Sequence, residues 1–200
     1  MIVLVDYGMG NLRSVQKAFE FCGEKPLISS SPAHIKKADK IVLPGVGAFS
    51  QAMVELKKRK LVAVLKEKIQ SGTPYLGLCL GLQLLFDSIE EGEENGLGIL
   101  PGRVKRFTGG MKVPHMGWNT LSLRQKNCPM MEGVSAAEHF YFVHSFYAVP
   151  EDKKMVASTT SYGGDFCSSV WHGKIFATQF HPEKSQRSGL RLIGNFLDIC

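Results

Sequence analysis

Over the first ninety residues, unbroken apolar runs alternate with stretches whose apolar positions recur at helical spacing. The runs are "IVLVDY" from Ile2, "PLIS" from Pro26, "KIVLPGVG" from Lys40 and "GTPYLGLC" from Gly72. The periodic stretches predict helices over 12–21, 48–56 and 61–69, and a further helix, "LGLQLLFDSI", over 80–89. Runs this apolar leave no wet face. Strands of that kind, alternating with helices, point to a parallel sheet covered on both sides.

After about residue 92 the pattern changes. Strand-like pieces follow one another closely: "RVKRF", "TLSL", "FYFVHSFYAV", "MVASTT", "FCSSVWH" and "KIFATQF". They predict an antiparallel extension or edge of the same sheet. The chain closes on an amphipathic helix over 185–199, with Leu190, Ile193, Phe196 and Leu197 on one face. No repeat, low-complexity segment or long linker interrupts this order, so residues 1–200 read as a single domain.

Composition narrows the class. Two hundred residues suffice for one domain with a substantial core, and 44% hydrophobic with 21% charged residues is ordinary for a globular protein. No apolar run reaches the roughly 18 residues that span a bilayer. "MIVLVDYG" lacks a charged lead and is too short for a signal peptide, so it reads as a first buried strand. The five cysteines, Cys22, Cys79, Cys128, Cys167 and Cys200, are scattered and free of CxxC spacing. That usage fits the cytoplasm and argues against a disulfide framework or a zinc site. The net charge is +6, but the lysines fall in small groups, Lys36-Lys37 and "KKRK" over 57–60. At expected helix ends or loops they read as solvated charge rather than a nucleic-acid face.

Candidate chemistry centres on Cys79. Gly77-x-Cys79-x-Gly81 has the spacing of a nucleophile elbow, a sharp strand-to-helix turn, with Cys in place of Ser. The turn sets the sulfur at a helix N-terminus, where the backbone favours the thiolate, and aims the Leu80 N–H at the same spot. A thiol nucleophile needs a base, and the base an orienting acid. "QFHPEKS" offers both: His181 is held extended by Pro182, and Glu183, two residues on, projects to the same side. A glutamate at a strand end is expected to be partly exposed. The turn "PGVG", with Gly45 and Gly47, can bring a backbone N–H near Val46 to an oxyanion. Each motif alone admits a plainer reading: a core cysteine, a satisfied loop histidine beside a surface glutamate, an ordinary βα turn. "GMGN" is only a partial phosphate-binding turn, and a tight βα turn is its simpler role.

In the order "PGVG", "GLCLGLQLL", "QFHPEKS", the chain resembles the triad-type glutamine amidotransferases. "DYGMGN", "PHMGWN" over 114–119 and "YFVHSFYA" over 141–148 resemble, within that family, the glutaminase subunits of imidazole glycerol phosphate synthase. The resemblance covers essentially the whole chain. It implies a flavodoxin-like α/β fold: an open, mostly parallel sheet with helices on both faces and an antiparallel extension in the C-terminal half. It implies hydrolysis of L-glutamine to glutamate and ammonia without cofactor or metal. Cys79 is then the nucleophile, His181 the acid/base and Glu183 the orienting carboxylate. Val46 and Leu80 supply the oxyanion hole, and Gly47, Gln83, Glu91 and the backbone at Ser145 and Phe146 hold the glutamine. Several other acids in "SIEEGEENG" compete with Glu91 for that role. The implied partner is a (β/α)8-barrel cyclase subunit that uses the ammonia for histidine biosynthesis. Asn11, Trp118, Tyr141 and Lys184 match the interface, although a core role suits Trp118 nearly as well. Three other readings stay open: a paralogue serving another synthase, a free-standing γ-glutamyl hydrolase, and a basic nucleic-acid-binding module.

Overall fold

The computed structural model describes residues 1–90 and 94–199. Its strands are β1 (Ile2–Val5), β2 (Leu27–Ser29), β3 (Lys40–Gly45), β4 (Tyr75–Cys79), β5 (Ser88–Ile89), β6 (Gly102–Arg106), β7 (His115–Thr120), β8 (Ser122–Leu123), β9 (His139–His144), β10 (Phe146–Pro150), β11 (Val156–Ser161), β12 (Asp165–His172) and β13 (Ile175–Thr178). The α-helices are α1 (Leu12–Phe21), α2 (Pro32–Lys36), α3 (Phe49–Lys58), α4 (Leu61–Gln70), α5 (Leu80–Gln83) and α6 (Gln186–Asp198).

The main sheet runs β2-β1-β3-β4-β13-β12-β10-β6-β5. Its first five strands are all parallel, in the flavodoxin-like order 2-1-3-4-5 with β13 in fifth place. From β13 onward, β12, β10 and β6 add in antiparallel fashion, and β5 closes the edge parallel to β6. β11 also pairs with β12 and carries β8.

Alternation within the parallel strands explains the two-sided cover. Val3, Val5, Ile41 and Leu43 point into one buried cluster with Phe49, Leu56, Leu61 and Leu65 of α3 and α4. Leu4, Val42, Leu76 and Leu78 point the other way, onto Val15 and Phe19 of α1 and Leu192, Ile193 and Phe196 of α6. At roughly 1.5–3 kcal/mol for each large apolar side chain fully buried, neither face can lose its helices and remain folded.

Two expectations fail. The helix over 80–89 stops at Gln83. The carbonyls of Leu84, Leu85 and Phe86 accept instead from Leu97, Ile99, Leu100 and Gly98, so the turn docks on the 97–100 segment rather than continuing as helix. The run "FYFVHSFYAV" is not one strand of the extension either. It breaks at Ser145, and β9 leaves the main sheet to pair with β7 in a separate antiparallel ribbon. Phe140, Phe142 and His144 alternate inward along β9, which gives the ribbon one core face. Phe140 and Phe142 pack on Phe180, with ring centroids 4.6 and 5.6 Å away.

The carboxyl ends of β3, β4 and β13 lie side by side, with Gly45 opposite Cys79 and Leu78 opposite both Pro44 and Thr178. In open α/β sheets, ligands bind outside these ends. His181 follows β13 by three residues and caps a 3-10 turn, Pro182–Lys184, that packs on α6. Packing there is tight: a Cβ on Gly189 of α6 would overlap the Pro182 carbonyl oxygen. Gly189→Ala should therefore destabilise the fold by about 1–3 kcal/mol, the cost of overpacking. Urea unfolding measures this, and an unchanged midpoint would show that the turn yields freely.

Candidate active site

Cys79 is the last residue of β4 and the residue before α5, with φ 52° and ψ −98°. A side chain held in such a region costs about 1–3 kcal/mol and persists only where its surroundings over-determine it. Here they do. A Cβ on Gly77 would stand 2.5 Å from the Gly81 carbonyl oxygen, and one on Gly81 would overlap the Leu43 carbonyl oxygen of β3. Tyr75, fully buried, donates its hydroxyl to Gly81 O at 2.7 Å and braces the turn from below. Because α5 is a single turn, the helix end beneath the sulfur amounts to its first backbone N–H groups.

His181 is held from three directions. Its N–H donates to Tyr141 O at 2.9 Å. Its carbonyl accepts from Ser185 Oγ at 2.7 Å, and that hydroxyl accepts from Tyr141 N at 2.9 Å. The ring Nδ1 meets Glu183 Oε1 at 2.8 Å. Both side chains are only 3% exposed, so the expectation of a partly exposed Glu183 is corrected. α1 and α6 pack against this turn and take the carboxylate out of water.

His181 Nε2 is buried without an aligned hydrogen bond among the described residues. Its coupling to Cys79 is chiefly Coulombic, with a weaker hydrogen-bonding contribution from the sulfur. Burial alone lowers the imidazole pKa; the negative charge of Cys79, reinforced by Glu183, outweighs it and raises the pKa to about 10. At His181 the balance favours the imidazolium.

Cys79 opens into a cavity of about 460 Å³. Val46, Gly47, Leu80, Gln83, Ser145 and Phe146 line it, as do Pro114 and His144 from the side of the ribbon. Gly47 has φ 99° and Val46 is exposed at the rim. Gln83 donates from Nε2 to Phe146 O at 3.0 Å and to Gln179 Oε1 at 3.1 Å. Gln179, fully buried, turns its own Nε2 to Cys79 Sγ at 3.6 Å. Phe146 O also accepts from His144 Nδ1 at 2.7 Å and Ser145 O from Phe107 N at 3.1 Å, so these carbonyls are already engaged. Glu91 lies outside the described residues.

The profile of the family described as Glutamine amidotransferase class-I matches residues 3–200. The chain belongs to that family. This glutamine amidotransferase is 52% identical over 207 residues to the imidazole glycerol phosphate synthase subunit HisH of Syntrophotalea carbinolica, covering 100% of both chains. It is 50% identical to the HisH subunit of Geobacter metallireducens, with 98% of this chain and 96% of the relative covered. It therefore also belongs with the HisH subunits. Among solved structures, one described as a glutamine amidotransferase superposes with a TM-score of 0.79 at 21% identity, covering 99% of this chain and 98% of that one. The PurLQS structure from Thermotoga maritima gives 0.75 at 18%, covering 98% and 97%. These two show the shared fold.

In this amidotransferase, the expected interface residues divide. Trp118, Tyr141 and Lys184 form one group: the Trp118 ring meets Tyr141 edge-on at 5.8 Å, and Lys184 Nζ lies 5.7 Å from the Tyr141 ring centroid. Trp118 is 48% exposed and Met116, on the same strand, 62% exposed, so Trp118 is not core. Asn11 is exposed and caps α1, accepting from Ser14 N at 3.3 Å. Two residues near the sulfur were invisible in the sequence. Gln179 lies inside "QFHPEKS" with no signal separating it from any buried amide. Tyr7 is fully buried with its hydroxyl unpartnered among the described residues, and burial, then the charge of Cys79, raises its pKa. Removing that charge also tests the ion pair: in Cys79→Ala, burial should draw the His181 pKa down from about 10. Imidazole NMR titration reads it, and an unchanged value would mean the two are uncoupled.

Proposed function

We propose that this chain hydrolyses L-glutamine to glutamate and ammonia through a Cys79 thioester. It hands the ammonia to a (β/α)8-barrel cyclase subunit, with which it makes up imidazole glycerol phosphate synthase of histidine biosynthesis. We take it as a single domain over residues 1–200, acting in the cytoplasm. What carries this reading is the convergence of Cys79 and the His181–Glu183 pair at adjacent strand ends, in a chain 52% identical over its length to a HisH subunit.

In this reading Cys79 Sγ attacks the side-chain amide carbon of glutamine. N–H groups at Val46 and Leu80 take the charge that develops on oxygen. The His181 imidazolium, already charged, gives its proton to the departing nitrogen, and ammonia leaves. The neutral imidazole then takes a proton from water, which attacks the thioester and frees glutamate. Glu183 holds the ring by Nδ1 and stabilises its charge throughout. Gln83 spends both amide hydrogens on Phe146 and Gln179, which leaves its oxygen to accept from the substrate ammonium. Gly47, the backbone N–H groups near Ser145 and Phe146, and Glu91 complete the glutamine site.

Free ammonia is mostly protonated in neutral water, so a glutaminase that supplies it gains from a docked user. Exposed Trp118 and Met116, with Tyr141 and Lys184 beside the His181 turn, offer aromatic and cationic contacts suited to a partner. Asn11 joins this surface in the proposed complex. Two glycines in "PGVG" let the Val46 peptide settle with its N–H toward or away from the cavity. Losing one oxyanion donor costs a factor of about 10² to 10³ in rate.

The deciding assay is glutamate release by the chain alone, with the barrel subunit, and with that subunit and its nucleotide ligand. The liganded complex should exceed the isolated chain at least about 10²-fold, mainly in kcat. Full activity in the isolated chain would point instead to a free-standing hydrolase. Cys79→Ala should abolish turnover while leaving the fold intact. Glu183→Gln should lower kcat by a factor approaching about 10⁴, as for the buried acid of a serine triad. An unchanged kcat at saturating glutamine would rule out Glu183 as the orienting acid.

A further inference from the structure

Three side chains outside the Cys79–His181–Glu183 group form a hydrogen-bonded line that ends on the cavity wall. Asn119 Nδ2 lies 3.3 Å from His115 Nε2, and His115 Nδ1 lies 3.0 Å from His144 Nε2. His144 Nδ1 lies 2.7 Å from the Phe146 carbonyl oxygen.

Every proton in the line has one place. Asn119 Oδ1 accepts from Thr120 N at 2.9 Å, and Nδ2 donates to Ser161 O at 3.1 Å, so the amide nitrogen is the atom that faces His115. His115 Nε2 therefore accepts, and its proton is on Nδ1. That proton is donated to His144 Nε2. His144 in turn carries its proton on Nδ1 and donates it to the Phe146 carbonyl. A second proton on either ring would set one N–H against another.

The surroundings hold the rings in this state. His115 and His144 are a cross-strand pair of β7 and β9. His115 stacks with Phe142 and Tyr162, centroids 4.9 and 4.1 Å away. Burial pulls the His115 pKa down to about 4. Burial, only partly offset by the Phe146 carbonyl, pulls His144 down to about 3, and the charges of His115 and His181 add to the effect.

We propose that His115 and His144 are positioning residues for the glutamine pocket: as a neutral pair oriented by Asn119, they fix the Phe146 carbonyl and, through it, Gln83 and Gln179. This rests on the glutaminase reading above and deepens it. Phe146 O receives two donors, His144 Nδ1 and Gln83 Nε2. Without His144 the carbonyl keeps the Gln83 amide as its only polar anchor in this line. The groups it holds directly, the Phe146 carbonyl and Gln83, belong to the pocket wall, and only Gln179 at the far end of the line reaches Cys79 Sγ, so the consequence falls mainly on glutamine binding.

The test is steady-state glutamine hydrolysis by the complex with the barrel subunit and its nucleotide ligand. The variants are His144→Phe, His144→Asn and Cys79→Ala beside the wild type. Phenylalanine keeps the ring's bulk without a donor. Asparagine sets Nδ2 close to the position of Nδ1 and restores the donor to Phe146. His144→Phe should raise KM for glutamine about threefold to tenfold, the net worth of one hydrogen bond, with kcat changed by less than about twofold. His144→Asn should bring KM back near the wild-type value. An unchanged KM in His144→Phe, or a His144→Asn variant equally impaired, overturns the proposal. A second measurement needs no variant. Long-range ¹⁵N–¹H NMR of the wild type should show both rings as neutral Nδ1–H tautomers, and an Nε2–H tautomer at His144 overturns the proposal as well. Wild-type hydrolysis abolished by Cys79→Ala, with wild-type KM in His144→Phe, removes this inference alone. Absence of hydrolysis in the wild type removes the glutaminase reading and this inference together.

Discussion

The site depends on how closely the backbone of the Cys79 turn approaches that of β3. Gly81 sits where any Cβ would overlap the Leu43 carbonyl oxygen, and Gly77 where one would press on Gly81. That contact seats α5 directly against β3, with no room for a side chain between them. Cys79 is left in a left-handed conformation, with its sulfur turned into the crevice rather than the core. Everything else is placed relative to that sulfur. β13 pairs with β4 and delivers His181; β3 pairs on the other side and delivers the Val46–Gly47 turn.

Charge is organised around the same point. The Glu183 carboxylate is buried beside His181 instead of lying in water, so its charge acts on the imidazole with little screening. The two amides, Gln83 and Gln179, are aligned head to tail between the Phe146 carbonyl and the sulfur. Polar groups this deeply buried stabilise a single arrangement when satisfied and are costly when not. The cavity wall is thus as specified as an apolar core, with hydrogen bonds in place of shape.

Much of this is legible in the sequence because it is local. Gly77 and Gly81 flanking Cys79 announce a turn that only small residues allow, and His181 with Glu183 two residues on announces a paired imidazole and carboxylate, although the chain turns as a 3-10 helix over Pro182–Lys184 instead of staying extended. The parallel half of the sheet is legible from runs with no polar alternation. What is not legible depends on contacts across the chain. Nothing near 80–89 signals that the 97–100 segment takes the Leu84–Phe86 carbonyls and ends α5 after one turn. Nothing in "FYFVHSFYAV" shows that the break falls at Ser145, because both halves have strand composition. Gln179 and His144 look like any buried polar residues until partners distant in sequence, Gln83 and His115, stand beside them. The burial of Glu183 likewise comes from α1 and α6 and not from its own segment.

The strand order also has a kinetic side. β4 pairs with β3, some thirty residues earlier, and with β13, a hundred residues later, Leu76 lying opposite Phe176. At about 5–20 residues per second of synthesis, the β13-facing edge of β4 waits roughly 5–20 s for its partner. Throughout that interval an apolar edge strand, the one that ends in Cys79, stands open to pairing with other chains. The strand that closes the sheet is also the one that leads into His181. The nascent chain therefore passes through its most aggregation-prone stage as a half-sheet that holds the thiol but not yet the base that activates it.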